Sequence, residues 1–277
     1  MGLGHLRRME ALGTALEAQG ASVTLAAAAE LAPGSPPAEV IVVDSYRLRA
    51  DTLARDWVVV AAVDDLVRDL AVDVMIDPAP GARPEDHPSA ARVLAGARYA
   101  LITESSGPSP RPADLPVETV LVTTGGSDHA GIGTDLAARL RRAVPEAGIR
   151  LVVGPWGHAD VPAGVDAVHA PDGLGPELAA AGVVVTAGGV TMLEAMQLGR
   201  PTVVIVTAEN QRRQVEGAAA AGAVTVAALG DVAGIVKALV HDDRERSRLS
   251  GAARALIDGH GPERAASVLL DVAGRPR

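Results

Sequence analysis

Two short stretches combine side chains and spacing that suit chemistry. Near the amino terminus, GLGHLRR sets His5 in a glycine-containing turn that opens a helix. Much further on, AGGVTMLEAMQLGRP inserts Glu194 into a helix otherwise built from Val190, Met192, Leu193, Ala195, Met196 and Leu198. Histidine is the side chain whose ordinary proton affinity suits a general base near neutral pH. In such a turn His5 is either that base or a ring that caps its helix or is solvated. Glu194 is either a solvent-facing residue of a surface helix or a carboxylate aimed at a ligand.

Glycine turns accompany both. Gly2-Leu3-Gly4-His5, Gly125-Gly126-Ser127 and Gly188-Gly189 each precede a helical pattern. Each presents unpaired backbone N–H groups and the positive end of a helix dipole, the arrangement that holds phosphate. Three such loops suggest a nucleotide diphosphate, with Gly4, Gly125, Gly126, Ser127, Gly188, Gly189, Val190 and Thr191 expected against it. The other histidines (His87, His129, His158, His169, His241, His260) have no spacing that builds a zinc site, so no metal is expected.

The elements that must position these residues read as alternating helices and strands. Gly4–Gln19 is helical, with Leu6, Met9, Leu12 and Leu16 on one face and Gly20 as its cap. Ser22–Ala26 reads as a strand, Val40–Val43 as a buried strand ending at Asp44, Leu48–Arg55 as a short helix, and Trp57–Val63 as a strand closed by Asp64-Asp65. Val117–Thr123, Ile149–Val153, Val183–Ala187 and Thr202–Val206 are strands; Ile132–Val144, Asp231–His241 and Asp243–Ile257 are helices. Such alternation predicts largely parallel sheets. SSGPSPRPADLP, Ser105–Pro116, is rich in Pro and Ser and reads as a linker, dividing the chain into domains 1–110 and 111–277.

Composition excludes several classes. With 277 residues and 48% hydrophobic side chains the chain can build two cores. A formal charge of −9 argues against a nucleic-acid partner or an anionic membrane surface. No cysteine is present, which fits a cytoplasmic setting and removes thiolate chemistry. Lys237 is the only lysine among 25 basic residues, so no phosphate-loop lysine or Schiff base lies in a recognisable motif. Two Trp, two Tyr and no Phe leave few base-stacking platforms. Every apolar run is broken before membrane-spanning length, so no membrane span is expected.

GLGHLRR, IVVDSY, VDD, ARYALI, TTGGSD, AGGVTMLEAMQLGRP and AENQ occur in an order that resembles the UDP-2,4-diacetamido-2,4,6-trideoxy-β-L-altropyranose hydrolases of pseudaminic acid biosynthesis. The second half is also similar to the N-acetylglucosaminyltransferase of peptidoglycan synthesis. The resemblance implies a GT-B α/β architecture of two Rossmann-like domains with a UDP-sugar in a central cleft. It implies metal-independent, cofactor-free hydrolysis at the anomeric carbon with inversion and release of UDP, by a monomer or weak dimer; the alternatives are a GT-B glycosyltransferase and an inactive nucleotide-sugar-binding homologue. It makes His5 the catalytic base and Glu194 the acceptor of the ribose hydroxyls, and it sets Asn210, Gln211, Asp44 and Tyr46 beside the sugar.

The chain departs from that pattern. The family places a strand before GxGH, whereas GLGH here follows Met1 directly. A start internal to a longer frame, or a first domain unstable or inactive alone, is therefore expected. Thr103-Glu104-Ser105-Ser106 and Ile76-Asp77-Pro78 replace polar segments on the sugar side, so the sugar is less defined than the nucleotide.

Overall fold

The computed structural model describes residues 3–27, 38–53, 58–103, 110–125, 131–154, 161–170 and 173–274. They form two compact units: Met1–Glu104 together with Gly259–Arg277, and Ser105–Asp258.

In the first unit, helix α1 (Leu3–Ala18) precedes a four-stranded parallel sheet of β1 (Val40–Asp44), β2 (Val59–Val63), β3 (Val74–Asp77) and β4 (Arg92–Ala95), which lie in chain order. The strands are short apolar runs because both faces are covered, as parallel sheets require. On one face Val59, Ala61, Val63, Val74 and Ile76 meet Leu12 and Ala15 of α1 and Ala265, Ala266 and Leu269 of the terminal helix α8 (Gly261–Ala273). On the other, Val58, Val60, Ala62 and Met75 pack with Val43, Ala50, Leu70 and Val72. Gly261 allows the close approach of α8: a Cβ there would lie 2.2 Å from the Ala100 carbonyl oxygen. Gly20, at φ +91°, closes α1 in the left-handed region.

The second unit carries a six-stranded parallel sheet. Its strands are β5 (Thr119–Thr123), β6 (Gly148–Val152), β7 (Val165–Val168), β8 (Val183–Ala187), β9 (Thr202–Ile205) and β10 (Thr225–Val226), in the order β10-β9-β8-β5-β6-β7. Counted within the unit this is 3-2-1-4-5-6, the Rossmann arrangement. Its strand order reverses between β5 and β8, the place where ligands of such sheets bind. Helices α2 (Ile132–Ala143), α6 (Val232–His241) and α7 (Asp243–Leu256) bury one face through Leu136, Leu140, Val236 and Leu249. Helices α3 (Gly175–Ala180) and α4 (Val190–Gln197) bury the other through Leu178 and Ala195. Helix α5 (Arg212–Ala220) follows β9.

Several expectations change. Ser22–Ala26 takes no strand pairing among the described residues; Val23 and Leu25 instead approach α1 at Gly13, where a Cβ would lie 3.3 Å from Val23 Cγ1. On the described residues β1 therefore pairs only with β2, and Val40, Ile41 and Val42 stay half-buried where β2 is sealed. The helix expected over Leu48–Arg55 is a single 3₁₀ turn, Ala50–Leu53; Arg55 and Trp57 lie outside the described residues. Leu6 is exposed, and Ala11 rather than Leu6 joins the buried face of α1. Whereas the sequence divides once, near residue 110, the chain returns to the first unit at Gly259, because the apolar face of α8 is buried against α1. The described part of the linker is not a free tether. Buried Arg246 donates to the carbonyls of Ala113 and Leu115 at 2.8 and 3.0 Å, and buried Arg200 to those of Arg111 and Ala181. Burial and the neighbouring Arg254 and Arg111 charges lower the Arg200 pKa to about 10.

Candidate functional site

In the first unit the candidate side chains lie at the carboxyl ends of β1 and β2 and in the first turns of α1. His5 and Arg8, three residues apart, share one face of the helix. His5 Nδ1 is 2.6 Å from Asp44 Oδ1. Arg8 donates from Nε to Asp44 Oδ2 and from Nη2 to Asp44 Oδ1, each at 2.9 Å, and from Nη1 to Asp65 Oδ2 at 2.8 Å. Tyr46 donates its hydroxyl to Asp65 Oδ1 at 2.9 Å, and its ring meets His5 edge-to-face at 4.6 Å. The Asp44 side chain is sealed from solvent, whereas His5 keeps 16% of its side chain exposed. Burial alone lowers the affinity of Arg8 for its proton, but the charges of Asp44 and Asp65 outweigh it and hold the guanidinium well above its ordinary pKa.

This geometry selects a tautomer. A carboxylate only accepts, so at 2.6 Å a proton sits on His5 Nδ1, and in the neutral ring the lone pair is on Nε2. A carboxylate behind the ring also stabilises the imidazolium that forms when Nε2 takes a proton. The arrangement is that of a general base held and charge-compensated from behind.

Next to it, Asp64 is fully buried and accepts from the Arg68 backbone N–H at 2.8 Å and from Arg68 Nε at 2.6 Å. Arg68 also donates to the Ser45 carbonyl at 2.8 Å, tying the loop after β2 to the loop after β1. Between the paired ends Val67 takes φ +57°, a strained conformation for a β-branched residue. At the end of β3, Asp77 Oδ2 is 2.9 Å from buried His87 Nε2.

In the second unit, β8 ends in Gly188-Gly189 and α4 begins at the sheet's reversal point. A Cβ at Gly188 would lie 2.2 Å from Val215 Cγ2 and 3.1 Å from Gln211 Cβ, so only glycine lets α5 and its leading turn close on this loop. Around Gly189 there is open space: a Cβ would meet nothing within 4 Å. Gln214, almost fully buried, donates to the Gly188 carbonyl at 2.9 Å and turns that oxygen toward α5. Gly189 N–H bonds the Ala187 carbonyl at 2.9 Å, which leaves the first-turn amides of Val190 and Thr191 as the donors at the helix start. Glu194 stands half-buried one turn on, with Oε2 shielded from solvent.

The structure thus brings His5, Asp44 and Tyr46 together in one unit, and Gly188, Gly189, Val190, Thr191 and Glu194 in the other, with Gln211 against Gly188. Gln211 Oε1 accepts from the Thr207 N–H and hydroxyl at 3.0 and 3.1 Å. Asn210 is exposed in the same 3₁₀ turn, and Gly4 stands in the first turn of α1. Gly125 follows β5, beside β8, at φ +102°; Gly126, Ser127, His129 and His158 lie outside the described residues. Asp44, expected beside the sugar, has both side-chain oxygens engaged by His5 and Arg8 and its side chain sealed from solvent. Arg8, Asp65 and Gln214 were missed. Arg8 was findable from its i+3 spacing to His5, and Asp65 from its place after a strand, like Asp44. Gln214 carries no comparable signal.

No family model and no curated protein matches the chain. Solved structures do. A spinosyn rhamnosyltransferase, SpnG, complexed with thymidine diphosphate aligns at TM-score 0.60 and 17% identity, covering 99% of this chain and 81% of that one. Acinetobacter baumannii MurG aligns at 0.54 and 14%, covering 77% and 67%. The kitacinnamycin glycotransferase aligns at 0.53 and 22%, covering 72% and 55%. The fold is GT-B. At these identities the GT-B likeness concerns architecture, and the chain spans a little over half the length of the kitacinnamycin protein. No helix among the described residues is long and apolar enough to cross a membrane.

Proposed function

We propose that this GT-B chain transfers a sugar from a nucleoside diphosphate donor to a hydroxyl acceptor. The observation that carries this reading is the 2.6 Å His5–Asp44 pair, which leaves Nε2 basic on a partly exposed ring. Nε2 takes the proton of the entering hydroxyl as its oxygen bonds to the sugar C1. The C1–O bond to the diphosphate breaks, and the nucleoside diphosphate leaves with the electron pair. The amides of Val190 and Thr191, at the positive end of α4, offset the charge that develops on the diphosphate. Glu194, a turn further on, accepts from the two ribose hydroxyls. Uridine is the base implied by the sequence resemblance.

Transfer is favoured over hydrolysis because two of the solved structures of this fold described above are named as a glycotransferase and a rhamnosyltransferase. Hydrolysis of a UDP-linked diacetamido-trideoxy hexose rests on motifs that run along nearly the whole chain, GLGHLRR to AENQ. The two readings differ only in whether a sugar-accepting hydroxyl or water meets His5. Incubation with UDP- and TDP-sugars, with and without hydroxyl acceptors, separates them by nucleotide release. Release that requires an acceptor supports transfer, release without one supports hydrolysis, and none from any donor overturns both.

A further inference from the structure

Two partners of opposite character meet at His5 Nδ1. Asp44 Oδ1, 2.6 Å away, can only accept, while Arg8 Nη2, 3.1 Å away, can only donate. Both cannot bond Nδ1 in one state. Arg8 resolves the conflict by giving the Nη2 proton to Asp44 Oδ1 at 2.9 Å, so guanidinium and imidazole share one carboxylate. Among the described residues, the charged and titratable groups facing His5 are Arg8 on its own helix and Asp44 and Tyr46 from the end of β1; Asp65, after β2, acts through Arg8 and Tyr46.

We propose that Arg8 is a positioning residue that sets the working state of His5. By dividing the negative charge of Asp44 it keeps the Nδ1–H tautomer without letting the dyad collapse into a permanent imidazolium–carboxylate pair. This rests on His5 being the base. With Arg8 in place, Asp44 and Asp65 carry one net negative charge; without it they carry two, and the ring would hold its proton more firmly. The firm charge of Arg8, buried between two carboxylates, makes it a constant counter-charge across the working pH range. Its fork also fixes the Asp44 carboxylate so that Oδ1 faces the ring.

The test follows His5 directly, by side-chain ¹⁵N NMR of the whole chain, alongside the pH profile of nucleotide release. In Arg8→Gln the imidazolium signal should persist to higher pH than in wild type, and the acid limb of the rate profile should move the same way. Arg8→Lys keeps the charge but reaches one oxygen at a time. Its acid limb should stay in place while the plateau falls roughly tenfold. If Arg8→Gln scales the profile evenly and leaves the ¹⁵N signals where they were, Arg8 is only a structural support and the assignment fails. If Arg8→Gln does not fold, Arg8→Lys decides: a displaced limb or an unchanged plateau overturns the inference. Should no donor be turned over, the NMR arm still settles the role of Arg8, so its failure and that of the transfer reading are told apart.

Discussion

His5 Nδ1 and Asp44 Oδ1 stand 2.6 Å apart, and the carboxylate behind that contact has no exposed surface. In the proposed mechanism Asp44 therefore acts through the ring. His5→Ala should lower turnover by about 10²- to 10⁴-fold with nucleotide affinity nearly intact. Asp44→Asn should cost on the order of 10²-fold, because a carboxamide can donate toward Nδ1 and favour the wrong tautomer. Steady-state kinetics and calorimetry on the same samples check both. Unchanged turnover in His5→Ala would remove the base from the mechanism.

A second prediction separates nucleotide from chemistry. If Glu194 accepts from the ribose hydroxyls, Glu194→Ala loses one charged acceptor in a partly shielded position, a cost of about 1.5 to 3 kcal/mol or about 10- to 150-fold in UDP affinity. The loss should shrink for 2′,3′-dideoxy UDP, which lacks those hydroxyls. Equal losses for both nucleotides would show that Glu194 does not hold the ribose hydroxyls.

Adjacent glycines should fail in different ways. At Gly188 a Cβ would overlap Val215 at 2.2 Å, so Gly188→Ala must displace α5 and should cost about 1 to 3 kcal/mol of stability. At Gly189 a Cβ has open space and the backbone, at φ −102°, suits any residue. Gly189→Ala should therefore melt near the wild-type temperature yet bind UDP more weakly, since its methyl group fills space ahead of the α4 amides. Wild-type affinity in Gly189→Ala would place the diphosphate elsewhere.

The contrast between what was readable and what was not follows from range. β8, Gly188-Gly189 and α4 are legible because an apolar run, a glycine turn and a helical repeat are local signals, and the Rossmann order then puts them at the reversal point. Glu194 stood out for the same reason, as a charge in an apolar helix. The packing of α8 was not legible, because its partner α1 lies at the other end of the chain. Nor were the duties of Arg8, whose carboxylates are 36 and 57 residues away. Asp44 was legible as a strand-end carboxylate, but its engagement by both His5 and Arg8 was not. Ser22–Ala26 has the composition of a strand, yet composition cannot supply a neighbour to pair with.

The pair closing the loop after β3 makes stability depend on pH. His87 Nε2 meets Asp77 Oδ2 at 2.9 Å with both side chains buried, and Asp77 Oδ1 also accepts from the Ala79 N–H at 3.1 Å. Burial pulls the His87 pKa down, but the hydrogen bond and charge of Asp77 outweigh it, and the net shift is upward. The folded value thus lies above the unfolded one of about 6.5. The imidazolium form favours folding, so its contribution is complete below about pH 6.5 and is lost as pH rises through the folded value. The wild type should therefore unfold at lower urea concentration as pH rises above about 6.5, above the ordinary titration range of carboxylates. His87→Gln can still donate to Asp77 but cannot titrate, so it should start less stable at pH 6 and show a flatter dependence. Parallel curves for the two proteins would mean that His87 keeps one protonation state throughout, and that the Asp77 contact is a neutral hydrogen bond.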